Sequence, residues 1–198
     1  MKNLYNFLVL ILFISLSGTV NSQTKLSEVE KKDGKYYKSG SSTPFTGVVV
    51  DYYTGTKLKA KFTVTSGLID GEYKEWYENG NLKNEADYQD GKMHGKFVFY
   101  FSNGNPEREG YMKNDKKDGI FTVWFENKVK ESEKTFVDNV KNGVETVWWE
   151  NGKVSSIEPY KNGKQDGWFR YWTEEGKLEY EELFDMGVSK EVKEYDVN

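Results

Sequence analysis

Gly71-Glu72-Tyr73-Lys74-Glu75-Trp76-Tyr77-Glu78-Asn79-Gly80-Asn81-Leu82 carries a spacing that returns along the whole chain. Gly47, Gly71, Gly95, Gly119, Gly143 and Gly167 lie 24 residues apart without a slip. Five residues after each glycine stands Tyr52, Trp76, Tyr100, Trp124, Trp148 or Trp172. The next position is aromatic in five units (Tyr53, Tyr77, Phe101, Phe125, Trp149), with Thr173 the exception. Seventeen after the glycine comes Val64, Tyr88, Met112, Phe136, Tyr160 or Phe184. A fixed period with registered columns marks a repeat array, in which each unit buries its apolar face only against its neighbours.

The turns repeat with the same period. Gly80, Gly104, Gly152 and Gly176 fall nine after the anchor glycine, and Gly67, Gly91, Asp115, Asn139, Gly163 and Gly187 fall twenty after it. Gly, Asn and Asp tolerate left-handed φ, so the second column is chosen for the backbone. Between the turns lie two short runs per unit, which predict two strands and an antiparallel meander. Alternation sorts their faces: Phe97, Phe99 and Phe101, or Phe121, Val123 and Phe125, form the fatter set. The expectation is an all-β, elongated, single-layer antiparallel meander of tandem 24-residue β-hairpins. Two departures stand out. Lys128 replaces a turn glycine in unit four, which suggests a first turn one residue shorter, and Gly55 comes one residue early in unit one.

The ends read differently. Lys2 followed by an apolar run from Phe7 to Leu16, then Val20-Asn21-Ser22 before Gln23, fits a cleaved signal peptide over residues 1–22. An uncleaved membrane anchor is the alternative. Residues 23–46 lack the pattern and read as an N-terminal cap before six repeats over residues 47–190. Glu191 stands where a seventh glycine would fall, so residues 191–198 read as a charged half-repeat that blunts an open edge.

Composition narrows the function. Aromatic residues make up 16% of the chain and glycines number 19 against three prolines, a balance suited to pleated surfaces and turns. The net charge of −4 argues against nucleic acid and against anionic lipid, both of which need clustered Lys and Arg. There is no cysteine, so disulfides, thiolate metal sites and Cys nucleophiles are excluded. His94 sits in a column shared with Asp70, Asp118, Asn142 and Asp166, the company of a turn residue. Carboxylate pairs such as Glu107 and Glu109, Glu131 and Glu133, and Glu179 and Glu181 fall on the outward alternation of second strands and read as a solvated acidic stripe. No catalytic constellation, cofactor site or metal site emerges.

Trp76, Tyr100, Trp124, Trp148 and Trp172 are the candidate binding residues. Their column projects opposite the fatter face. It is open to two readings: a second packed ladder, or a row of rings recurring about every 9–10 Å that suits an extended peptide or glycan.

The units Gly71 to Gly80 and Gly143 to Gly152 resemble the bacterial variant of the MORN repeat (membrane occupation and recognition nexus). The resemblance covers about residues 44–187. It implies an elongated single-layer sheet that serves as a scaffold, and the relatives it points to carry an antitoxin label. With the leader, the expectation is an exported, non-enzymatic scaffold that binds a protein partner. Cell-wall glycan bound through the aromatic column is the alternative.

Overall fold

Left-handed backbone at two successive residues is what joins each second strand to the next first strand. The computed structural model describes residues 23–197. Ser66-Gly67, Asp90-Gly91, Asn114-Asp115, Asp138-Asn139, Asn162-Gly163 and Met186-Gly187 all have positive φ at both positions. That pairing defines a two-residue I′ turn, whose twist matches antiparallel strands. The result is an open meander. It runs from Gly47–Tyr52 through Leu58–Thr65, Leu68–Trp76, Leu82–Gln89, Lys92–Tyr100 and Pro106–Lys113, and on to Val188–Glu194. Every pairing along it is antiparallel, as for Gly71↔Tyr88 and Gly95↔Met112. Among the described residues the one parallel pairing sets Thr24–Lys25 beside Val49 and Val50. The chain is all-β, its long sheet a single layer that a two-stranded hairpin, Val29–Lys32 with Lys35–Lys38, covers at the N-terminal end.

Six hairpins repeat one irregularity. The pairing shifts by a residue just before each column aromatic: Val123 faces Ser132 but Trp124 faces Lys130, and Glu75 faces Asn84 but Trp76 faces Leu82. The extra residue on the second strand is a β-bulge, which bends the strand and increases local twist. A further break surrounds the anchor glycines. Gly71, Gly95, Gly119, Gly143 and Gly167 have φ between +101° and +128°. Sequence reasoning placed these glycines at the start of a strand. In units two and three they lie inside it, because Leu68–Trp76 and Lys92–Tyr100 begin earlier. Gly95 also has no room for a side chain, since a Cβ would lie 2.8 Å from that of Asp87.

Unit four differs from expectation. Lys128 adopts φ +73° and donates its amide to Phe125 O, while Phe125 N bonds to Val129 O. Gly104 and Phe101 make the same pair of bonds in unit three. The turn therefore keeps its length, and Lys128 accepts a conformation that glycine would adopt without strain.

Stacked side chains fill the fatter face. Phe45, Val49, Phe62 and Val64 form one cluster, against which Leu26, Val29 and Tyr36 of the N-terminal segment pack. Ala86, Phe97, Phe121 and Phe136 form a second. Tyr160, Phe169 and Phe184 continue the row with ring centroids 5.0–5.4 Å apart. These spacings suit tilted and edge-to-face contacts. At the far end Val188–Glu194 is exposed at every residue. The proposed leader, residues 1–22, lies outside the described residues.

Two alanine substitutions separate strain from crowding. Both positions carry positive φ, but Gly119→Ala adds only ordinary contact with Tyr111 at 3.5 Å, whereas Gly95→Ala also runs into Asp87 at 2.8 Å. Urea unfolding should show a loss of roughly 1–3 kcal/mol for Gly95→Ala and a smaller one for Gly119→Ala. Equal stability of both variants and wild type would contradict this origin of the glycine column.

Candidate partner-binding groove

The second core cluster forms the floor of a groove of about 620 Å³ on the fatter face. Phe97 and Phe121 lie 5.3 Å apart, and Phe121 and Phe136 5.2 Å apart. Gly110 makes this floor possible. In the second-strand alternation it occupies the position of Phe62 and Ala86, and a Cβ there would meet the Phe121 ring at 2.9 Å. Absence of a side chain lets that ring lie across the neighbouring strand.

Cations surround the apolar floor. The Arg108 guanidinium stands 4.2 Å from the Phe99 ring centroid, and Lys117 Nζ lies 4.9 Å from Phe136 and 5.4 Å from Phe121. Both residues are exposed, and among the described residues neither has a carboxylate partner. Their aliphatic stems cover rings while their charges stay available to solvent or a ligand. Lys134 and Lys141 stand at the other side and share Glu145. Lys134 Nζ donates to Glu145 Oε1 at 3.0 Å, and Lys141 donates to Oε2.

Glu145 stands two residues after its anchor glycine, in the ring column of the groove face. Its place is held by Tyr73, Phe97, Phe121 and Phe169 in other units, yet it is only 8% exposed. It puts charge where the ring ladder would otherwise continue, and it pairs with Lys134 and Lys141, which do line the groove. Burial opposes its ionisation, but Lys141 and Lys134 outweigh it and hold the carboxyl below its ordinary value.

The five rings singled out from sequence lie elsewhere. Trp76, Tyr100, Trp124, Trp148 and Trp172 are all half-buried, on the face opposite the groove. Tyr100 donates its hydroxyl to Glu85 Oε1 at 2.7 Å, and burial together with that bond pushes its pKa up to about 12. Lys130 stands 5.7 Å over Trp148, and Trp172 borders a shallow recess with Val154 and Ile157. The ring at the next position has a clearer task. Tyr53 and Tyr77 hydroxyls donate to Trp76 O and Tyr100 O, and the Trp149 indole donates to Trp172 O. Each one fastens its unit to the following one.

Other residues on that face also differ from the sequence reading. The acidic stripe is partly withdrawn from solvent. Glu181 is 9% exposed and accepts from Arg170 at 2.6 Å and from the Tyr195 hydroxyl at 2.6 Å, and Glu109 is half-buried beside Lys96 at 2.8 Å. Facing lysines, an arginine and tyrosines supply the counter-charge and donors that let these carboxylates leave water. His94 meets Asn114 at 3.2 Å, much as Asn142 and Asp166 accept from the amides of Asn162 and Met186. Among the described residues no group of three or more His, Asp or Glu converges as a metal site.

Residues 69–90, 93–114 and 141–162 match the family model of the MORN repeat variant. The chain contains MORN-variant repeats. Each match starts two residues before an anchor glycine and ends on the first residue of an I′ turn, Asp90, Asn114 or Asn162. The MORN unit is therefore one hairpin of this sheet, and the groove is lined from Met93 in unit two to Lys141 in unit four. No curated protein matches the chain.

The groove residues that sequence reasoning missed had one visible signal, the exceptions within columns. Glu145 interrupts the series Tyr73, Phe97, Phe121 and Phe169, Gly110 follows Phe62 and Ala86, and Lys117 and Lys141 follow Ile69 and Met93 at the same position.

The Glu145 ion pairs give a pH dependence with a definite sign. A carboxyl lowered on folding stabilises the fold above its unfolded pKa and loses that contribution as pH falls through its folded value. Stability should thus decline below about pH 4.5. Glu145→Gln should cost roughly 1–3 kcal/mol at neutral pH and flatten that acid decline. Thermal melts across the range check both, and a variant with an unchanged acid slope would contradict the role of Glu145.

Proposed function

We propose that the chain is an exported, non-enzymatic scaffold that takes a protein partner along its aromatic face. The repeats make it a scaffold; the partner and its mode are inferred from the groove. An inhibitor or antitoxin-like module is the specific form to which the MORN resemblance points. Export rests on the leader pattern of residues 1–22.

The observation that carries this reading is an apolar floor bordered by cations in a protein of net charge −4. Packed rings supply area without rotamer cost, and peripheral charge selects what may lie on them. Among the described residues Lys117 and Arg108 are engaged only with rings, so they favour a segment with an apolar ridge and acidic flanks.

A second reading is a glycan on the opposite face, along Trp76, Tyr100, Trp124, Trp148 and Trp172. The recess at Trp172 is its best foothold, because a ring there borders open space rather than a packed neighbour.

Capture from native envelope extract, with and without purified cell-wall glycan as competitor, separates the two. Arg108→Glu with Lys117→Glu should lower capture of a protein partner at least about tenfold, while Trp172→Ala leaves it unchanged. Competition by glycan together with loss on Trp172→Ala would overturn the groove reading in favour of the other face.

A further inference from the structure

We propose that the C-terminal edge strand Val188–Glu194 pairs antiparallel with the same strand of a second copy, about a twofold axis through Val192. Four observations meet there. Among the described residues the strand is the last of the sheet, paired on one side to Leu178–Asp185, and every residue of it is exposed. Tyr195 N donates to Glu179 O, so by antiparallel alternation Lys193 and Glu191 also turn their amides inward. Val192 and Glu194 then present theirs to the open side. Val192 itself is 50% exposed, with an apolar side chain midway between Lys190 and Glu194.

Charge fixes the register. The sequence Lys190-Glu191-Val192-Lys193-Glu194 is neutral and antisymmetric about its centre. Antiparallel pairing through Val192 sets Glu191 against the partner's Lys193 and Lys190 against the partner's Glu194. The twofold operator makes each of these pairs twice, which is the self-complementarity an isologous interface requires. Opposite charges directly across a pair stabilise it, and like charges oppose it. Moving the axis to lie between Glu191 and Val192 would place Lys190 against the partner's Lys193, so that neighbouring register is disfavoured. Existing contacts leave the charges available. Lys193 lies 3.3 Å from Glu191 and 4.0 Å over Trp168, and Lys190 lies 3.6 Å from Asp185, all at the surface. A strand of alternating Lys and Glu repels most flat edges, yet it matches its own reverse.

Sedimentation velocity across a concentration series tests this with two charge variants. The wild-type chain should pass from monomer to dimer and stop there. Lys190→Glu with Lys193→Glu, and Glu191→Lys with Glu194→Lys, should each remain monomeric at concentrations where wild type dimerises. Mixed in equal amounts, the two should form a heterodimer, an outcome that misfolded variants would not give. Val192→Arg places two like charges on the axis and should also remain monomeric, with the wild-type melting temperature. A wild-type chain that stays monomeric throughout, association beyond a dimer, or dimerisation unaltered by these variants would overturn the proposal.

Discussion

Left-handed backbone at the second turn of every unit is the constraint on which this structure rests. A two-residue I′ turn fixes register, and in a pleated sheet a slip of one residue would send every side chain to the wrong face. The turn is itself tied to the sheet. Gly91, Asp115, Asn139 and Gly163 donate their amides to Ile69, Met93, Lys117 and Lys141 carbonyls at 2.8–3.0 Å. Where glycine is replaced, the new side chain joins in: Asp115 accepts from Met93 N and Asn139 from Lys117 N. The first turns are linked likewise, as Asn127 and Asn151 side-chain amides donate to Glu150 O and Glu174 O. Both ends of each hairpin are thus fastened to a neighbour, which makes the array a one-dimensional chain of coupled units.

With register fixed, chemistry follows from which residue each column holds. The ring column becomes a floor where Phe97 and Phe121 stack with Phe136 of the adjoining strand, and becomes charged where Glu145 intervenes. The column beginning with Ile69 and Met93 becomes a cationic rim where Lys117 and Lys141 occupy it. Regular repetition supplies the surface, and local departures from it make the groove. The opposite face is held together by bonds such as Tyr100 to Glu85 and Arg170 to Glu181.

Much of the architecture was legible in the sequence, because the period of 24 residues and the turn residues act locally. The left-handed column from Gly67 to Gly187 stands where the sequence placed it. Less legible was what depends on cross-strand register. The bulge before each aromatic, the place of Gly71 inside its strand, and the burial of Glu181 all depend on partners from another strand. Lys128 misled for a related reason. Its neighbours Phe125 and Val129 hold the turn closed, so the position tolerates a residue that propensity disfavours. The groove was hidden because columns were read for what they share, whereas Gly110, Lys117 and Glu145 matter by differing.

Native-state hydrogen exchange at the second-turn amides tests the central claim most directly. Gly91, Asp115, Asn139 and Gly163 are exposed, so only a hydrogen bond can slow their exchange. The account predicts protection at all four close to that of the adjoining strands. Exchange at the rate of open loops would contradict it, since the units would then be joined by side-chain packing and not by their backbone.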